Sequence, residues 1–60
     1  MELRELKDKR LNAGLSQTKL ANNIGIKRSS LSLLESGKRK PSYDVMERIA
    51  KVFDEPFVIK

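Results

Sequence analysis

The chain holds no cysteine, no histidine and no tryptophan. Without cysteine no disulfide can brace it, and a thiolate metal site is excluded. Without histidine the commonest general base and the commonest zinc ligand are both missing. Any catalysis would have to rest on Asp, Glu, Lys, Ser or Tyr, in 60 residues with little volume for a small-molecule pocket. The chain is therefore expected to be neither an enzyme nor a metalloprotein, and to need no cofactor and no small-molecule substrate. Aromatic residues are scarce too. Tyr43, Phe53 and Phe57 do not make a base-stacking platform of the kind that reads single-stranded RNA. Long apolar runs are missing as well: no segment approaches the ~20 residues of a membrane span. The opening Met1-Glu2-Leu3-Arg4-Glu5 lacks the apolar core of an export signal. The expectation is a soluble, cytoplasmic protein with no membrane partner.

What the chain does have is positive charge, unevenly placed. The net charge is +5. Between Lys9 and Tyr43 lie Lys9, Arg10, Lys19, Lys27, Arg28, Lys38, Arg39 and Lys40, against one acid, Glu35. The remaining residues carry more acids than bases. Solvated surfaces usually mix the two signs, so this segregation points to a polyanionic partner.

The chain divides into four helix-sized pieces at Gly14, Gly25, Gly37 and the Pro41-Ser42 step. The first runs from Glu2 to Ala13, with Leu3, Leu6 and Arg10 on one stripe and Leu11 beside them. A charge on such a stripe either reaches out to water or meets a buried partner, and Arg10 must do one of these. The second piece runs from Gln17 to Asn23 or Ile24, with Ser16 as N-cap and Leu20, Ala21 and Ile24 on one face. The third is about Lys27 to Ser36. Its inward face is Leu31 and Leu34; Arg28, Ser29, Ser32 and Leu33 lie on the other. Its serines are poor helix formers and Lys27 is a poor cap, so packing must hold it. Lys38-Arg39-Lys40-Pro41 reads as a loop, because Pro41 disfavours helix at Lys40. Ser42 caps a fourth helix with a stripe of Val45, Ile49, Val52 and Phe53, stopped by Asp54-Glu55-Pro56. The apolar, β-branched Phe57-Val58-Ile59-Lys60 suits a short strand.

Two short helices around one glycine are the centre of this pattern. Ala21 is small where the next helix must cross, Gly25 makes the turn, and Ile26, Leu31 and Leu34 seat the following helix. A helix seated in this way stands proud of the body and fits a groove ~12 Å wide.

The chain resembles the Cro/phage-repressor (XRE-like) helix-turn-helix family. The resemblance rests on Leu15-Ser16-Gln17-Thr18-Lys19-Leu20-Ala21, Ile24-Gly25-Ile26, Leu31 to Leu34, Glu35, Gly37-Lys38-Arg39 and Pro41-Ser42, and covers about Leu3 to Phe53. It implies an all-α domain over residues 1–60, a small four- to five-helix bundle of the phage-repressor type. The helix-turn-helix motif lies at about 17–36, and the fifth helix is short or replaced by an extended tail. It also implies a sequence-specific regulator of transcription, a repressor, that binds double-stranded DNA as a homodimer and is associated with the nucleoid. On the matched positions, Arg28, Ser29, Ser32 and Leu33 would face base edges, with Lys27 at the edge of that set. Gln17, Lys38, Arg39 and Lys40 would contact phosphates. Arg10 would pair with Glu35.

Two departures stand out. Lys27 occupies a position where relatives often carry a capping Ser or Thr, so the third helix is expected to start late or fray. Only Glu55 to Lys60 stand where relatives commonly carry a fifth helix. Three readings of this end stay open: a strand pairing across a two-fold axis, a truncated domain, or a short monomeric regulator. Within the same class, an antitoxin or a restriction-modification controller would share the DNA-binding fold. From another class, a protein-interaction adaptor would keep the fold without DNA.

Overall fold

The computed structural model describes residues 1–57, and the Val58 to Lys60 part of the expected tail strand lies outside them. Phe57 has no regular secondary structure and packs half-buried on the core. Among the described residues the regular elements are a 3-10 turn at Leu3–Glu5 and four α-helices: α1 (Leu6–Asn12), α2 (Gln17–Ile24), α3 (Arg28–Glu35) and α4 (Tyr43–Phe53). This is the expected all-α architecture.

Where a helix starts depends on who accepts its free amides. Ser16 Oγ accepts from Lys19 N–H at 3.0 Å, and Ser42 Oγ accepts from Val45 N–H at 3.2 Å. Both serines therefore start helices as expected. Lys27 takes the extended backbone of an N-cap but offers no side-chain hydrogen bond, yet α3 begins at the next residue, Arg28, as α2 and α4 do after their serines, so the expected late start is not seen. The single first helix expected from Glu2 instead opens as the 3-10 turn before α1. At three residues per turn, that geometry stacks Leu3 directly over Leu6. It also brings in Met1, whose side chain is buried and whose α-ammonium donates to Pro56 O at 2.7 Å. Lys9 donates to Glu55 across the same seam, which lowers the Glu55 carboxyl and raises the Lys9 ammonium from their ordinary values.

All four helices end alike. The amides of Leu15, Ile26, Lys38 and Glu55 each reach back five residues, to the carbonyls of Arg10, Ala21, Leu33 and Ala50, at 3.0–3.1 Å. Such an ending needs a left-handed residue one position earlier. Glycine supplies it three times. In α4 it falls on Asp54, at φ 51° and ψ 44°. A side chain is tolerated there only at a cost. Asp54→Gly should therefore stabilise the domain by about 0.5–1 kcal/mol, net of the extra chain entropy of the unfolded state. A rise in the thermal midpoint would show it; a fall would mean that the Asp54 side chain makes a contact worth more than the strain.

The core is small. Met1, Leu6, Leu20, Ala21, Ile24, Leu31, Leu34 and Ile49 are buried, and Leu3, Leu15, Ile26, Val45, Phe53 and Phe57 pack against them. Two apolar residues assigned to inward stripes do not belong there. Leu11 is 55% exposed and Val52 37%. On α4 the residues that meet the core are Val45, Ile49 and Phe53.

Candidate nucleic-acid interface

The surface that can meet a polyanion is built outward from the α2–α3 turn. Gly25 sits at φ 73° and ψ 31°, the left-handed region that favours glycine. The lack of a side chain matters here for a second reason. Arg48, from α4, donates to Ile24 O at 3.1 Å and pairs with Asp44 at 3.1 Å. A Cβ on Gly25 would lie 2.8 Å from Arg48 Nη1. Arg48 thus caps the C-terminal end of α2, where a cation and a donor are both favoured. Nothing in the local sequence announced it, because its partner lies on another helix.

Beyond the turn, α3 divides cleanly. Leu31 and Leu34 point into the core, and the Glu35 side chain is 3% exposed. Arg28, Ser29 and Ser32 are exposed; Leu33 is half-buried but is not among the residues that pack on the core. At 3.6 residues per turn these four span about 140° of the helix surface, a single outward face. Lys27, exposed at the N-cap, stands at its edge.

The buried side of α3 is held by charge as well as by leucines. Arg10 Nε donates to Glu35 Oε2 at 2.7 Å and Nη2 to Glu35 Oε1 at 3.3 Å. Its Nη1 donates to Leu15 O at 2.8 Å. Arg10 takes the buried option, and the guanidinium has a partner on every nitrogen. Gln17, the first residue of α2, donates from Nε2 to Glu35 Oε1 at 2.9 Å. Its Oε1 accepts from Arg28 Nη1 at 3.4 Å.

This packing decides the electrostatics. Glu35, the one acid between Lys9 and Tyr43, is buried against Arg10, and Lys9 is turned to Glu55. What that stretch shows to solvent is therefore wholly cationic: Lys19, Lys27, Arg28, Lys38, Arg39 and Lys40, all exposed. Lys38, Arg39 and Lys40 follow the C-terminal end of α3. Arg39 is turned back along the helix, its Nη1 3.3 Å from Ser30 Oγ. Arg28 and Arg39 thus border α3 on opposite flanks, and Ser30, half-buried, belongs to this rim although the sequence singled it out for nothing. Nearby, Tyr43 is 72% exposed, and its hydroxyl donates to Glu47, which raises the phenol above its ordinary pKa. Among the described residues no group of His, Cys, Asp and Glu could hold a metal ion, and no helix is long and apolar enough to cross a membrane.

Comparison with known proteins places this geometry. A family model described as helix-turn-helix matches residues 6–59. A protein of Pyrococcus furiosus provisionally named an HTH-type transcriptional regulatory protein is 43% identical over 56 residues, 93% of this chain but 17% of its own length. A counterpart in Pyrococcus horikoshii is 44% identical over 55 residues, 92% of this chain and 18% of its own length. An uncharacterized HTH-type transcriptional regulator of Archaeoglobus fulgidus is 35% identical over 49 residues, 82% of this chain and 70% of its own length. The chain thus spans less than a fifth of the Pyrococcus proteins and most of the Archaeoglobus one.

Proposed function

Because the chain belongs to the helix-turn-helix family of the Cro/phage-repressor type, we propose that it is a sequence-specific regulator of transcription that inserts α3 into the major groove of duplex DNA. One observation carries this reading: the outward face of α3 combines Arg28 with two small hydroxyls and Leu33, and the charges exposed between Lys19 and Lys40 are all positive. Arg28 presents the forked donor set that matches O6 and N7 of guanine. Leu33 offers an apolar surface to a thymine methyl, Ser29 and Ser32 offer hydroxyls to base edges, and Lys27 reaches in from the rim. Lys38, Arg39 and Lys40 meet phosphates. So does Gln17 through its backbone amide, since the first amides of a helix have no intrahelical acceptor and the helix dipole favours an anion there.

In this reading the protein works on the nucleoid as a homodimer at two half-sites about one helical turn apart, roughly 34–36 Å. It represses by occupying the site, and no chemical step is involved. Selection from a pool of random duplexes tests it. The expected result is one enriched site of two inverted half-sites, with affinity that falls steeply as salt rises. Recovery of unrelated sequences bound equally well would reject it. Lys38→Ala should weaken every duplex alike and make the slope of log affinity on log salt shallower by about 1. A loss confined to one base pair would place Lys38 among the base readers instead.

A further inference from the structure

The cations that follow α3 are not equivalent. Of Lys38, Arg39 and Lys40, only Arg39 has a side-chain hydrogen bond among the described residues: its Nη1 donates to Ser30 Oγ at 3.3 Å. A guanidinium can only donate, so the hydroxyl accepts. Both residues line a groove between α3 and the start of α4, with Ile26, Leu34, Pro41 and Val45. Its apolar walls suit the arginine methylenes and leave the charged head at the rim. Ser30 then sets where that head stands. It lies in the first turn of α3, about 60° round the helix from Leu33 and about 160° from Arg28. The Arg39 charge is thus carried back to the first turn, at the edge of the outward face beside Leu33, although its backbone lies beyond Glu35, the last residue of α3.

We propose that Ser30 is a positioning residue for Arg39. It aims the guanidinium at the phosphate strand on the Leu33 side of α3, at the level of the first turn and not beyond the helix end. A helix in the major groove has a phosphate strand on either side, and contacts to phosphates fix its register. An arginine already ordered loses less conformational freedom on binding. Lys38 and Lys40 carry the same charge without such a tether, so Arg39 supplies the one phosphate contact of the loop that is set before DNA arrives. This rests on Arg39 meeting a phosphate, and the test separates the two.

The probes are synthetic duplexes of the selected site in which one phosphate at a time is replaced by an uncharged methylphosphonate. The full chain is compared with Arg39→Ala, Ser30→Ala, Ser30→Thr and the double variant Ser30→Ala with Arg39→Ala. One replacement should weaken the wild type and leave Arg39→Ala unaffected, which assigns that phosphate to Arg39. Ser30→Ala should then bind the unmodified duplex about two- to tenfold more weakly, the worth of ordering one long side chain in advance. That loss should vanish on the duplex lacking the assigned phosphate. The double variant should be no worse than Arg39→Ala, and Ser30→Thr, which keeps the hydroxyl, should bind as the wild type does. Wild-type affinity in Ser30→Ala would overturn the proposal. So would additive losses in the double variant, which would make Ser30 a DNA contact of its own. If every replacement costs Arg39→Ala as much as the wild type, Arg39 meets no phosphate, and the effect on binding falls with that reading. The tether is tested independently in the unbound protein. The heteronuclear NOE of Arg39 Nε should fall on Ser30→Ala; an unchanged value overturns the tether whatever the DNA result.

Discussion

Arg10→Met should destabilise the domain by about 3–5 kcal/mol, the usual cost of leaving one partner of a buried ion pair alone. Arg10 is 6% exposed, and its guanidinium satisfies both oxygens of Glu35 and the carbonyl of Leu15. Methionine fills a similar volume, so the loss is not one of packing. It leaves a carboxylate that is 3% exposed with Gln17 as its hydrogen-bond donor, and leaves the Leu15 carbonyl without this donor. The magnitude matters because the protein is small. At ~0.05–0.15 kcal/mol per residue, a domain of this size has a total stability of roughly 3–9 kcal/mol. The variant should be largely or partly unfolded at room temperature, as circular dichroism with urea titration would show. An unaltered melting temperature would reject the role of the pair. Arg10→Met combined with Glu35→Leu should recover much of the loss, because removing both charges removes the desolvation cost. A double-mutant cycle then yields the coupling between them.

Arg28→Ala should have the largest effect on recognition. Its expected outcome is relaxed preference at one base pair, worth ~1–3 kcal/mol against the wrong base, with other positions of the site unchanged. The reasoning is geometric. Arg28 is exposed, opens α3, and lies on the same outward face as Ser29 and Ser32. With α3 in a major groove, as proposed, a forked donor at that place would meet guanine edges. Were it a phosphate contact instead, affinity would fall equally for every sequence and the salt slope would become shallower. Binding of wild type and variant to duplexes substituted one base pair at a time distinguishes the two, and uniform loss would sink the base-reading role.

The two predictions differ in how much of their basis could be read from the chain. The outward position of Arg28 was legible, because helical periodicity with Leu31 and Leu34 inside leaves only one face for it. The starts of α2 and α4 were legible from Ser16 and Ser42, since a cap is a contact between residues three apart; the late start expected of α3 from Lys27 did not occur, because packing of Leu31 and Leu34 holds its first turn. The pairing of Arg10 with Glu35 came from resemblance, because nothing local joins residues 25 positions apart.

Other features were not legible for the same reason. The 3-10 opening depends on Met1 being drawn into the core against Pro56, at the far end of the described chain. The exposure of Leu11 and Val52 depends on how far neighbouring helices extend over them. Asp54 was read as part of a stop signal, but its left-handed backbone was not.

What the sequence determined by itself was the set of short-range choices: the four described helices, their caps and turns, most of their apolar faces, and the basic stretch between Lys9 and Tyr43. Each follows from residues within about one or two helical turns, where spacing alone decides who meets whom. The tertiary structure decided how the polar groups are shared between elements. It buried the Glu35 side chain, so that the charges exposed between Lys19 and Lys40 are all positive. It placed Arg48 over the α2–α3 turn and Arg39 along Ser30. It also set which end of the Gln17 amide faces outward. Burial is a property of the assembled chain, and once water is excluded a carboxylate dictates the orientation of every group that touches it.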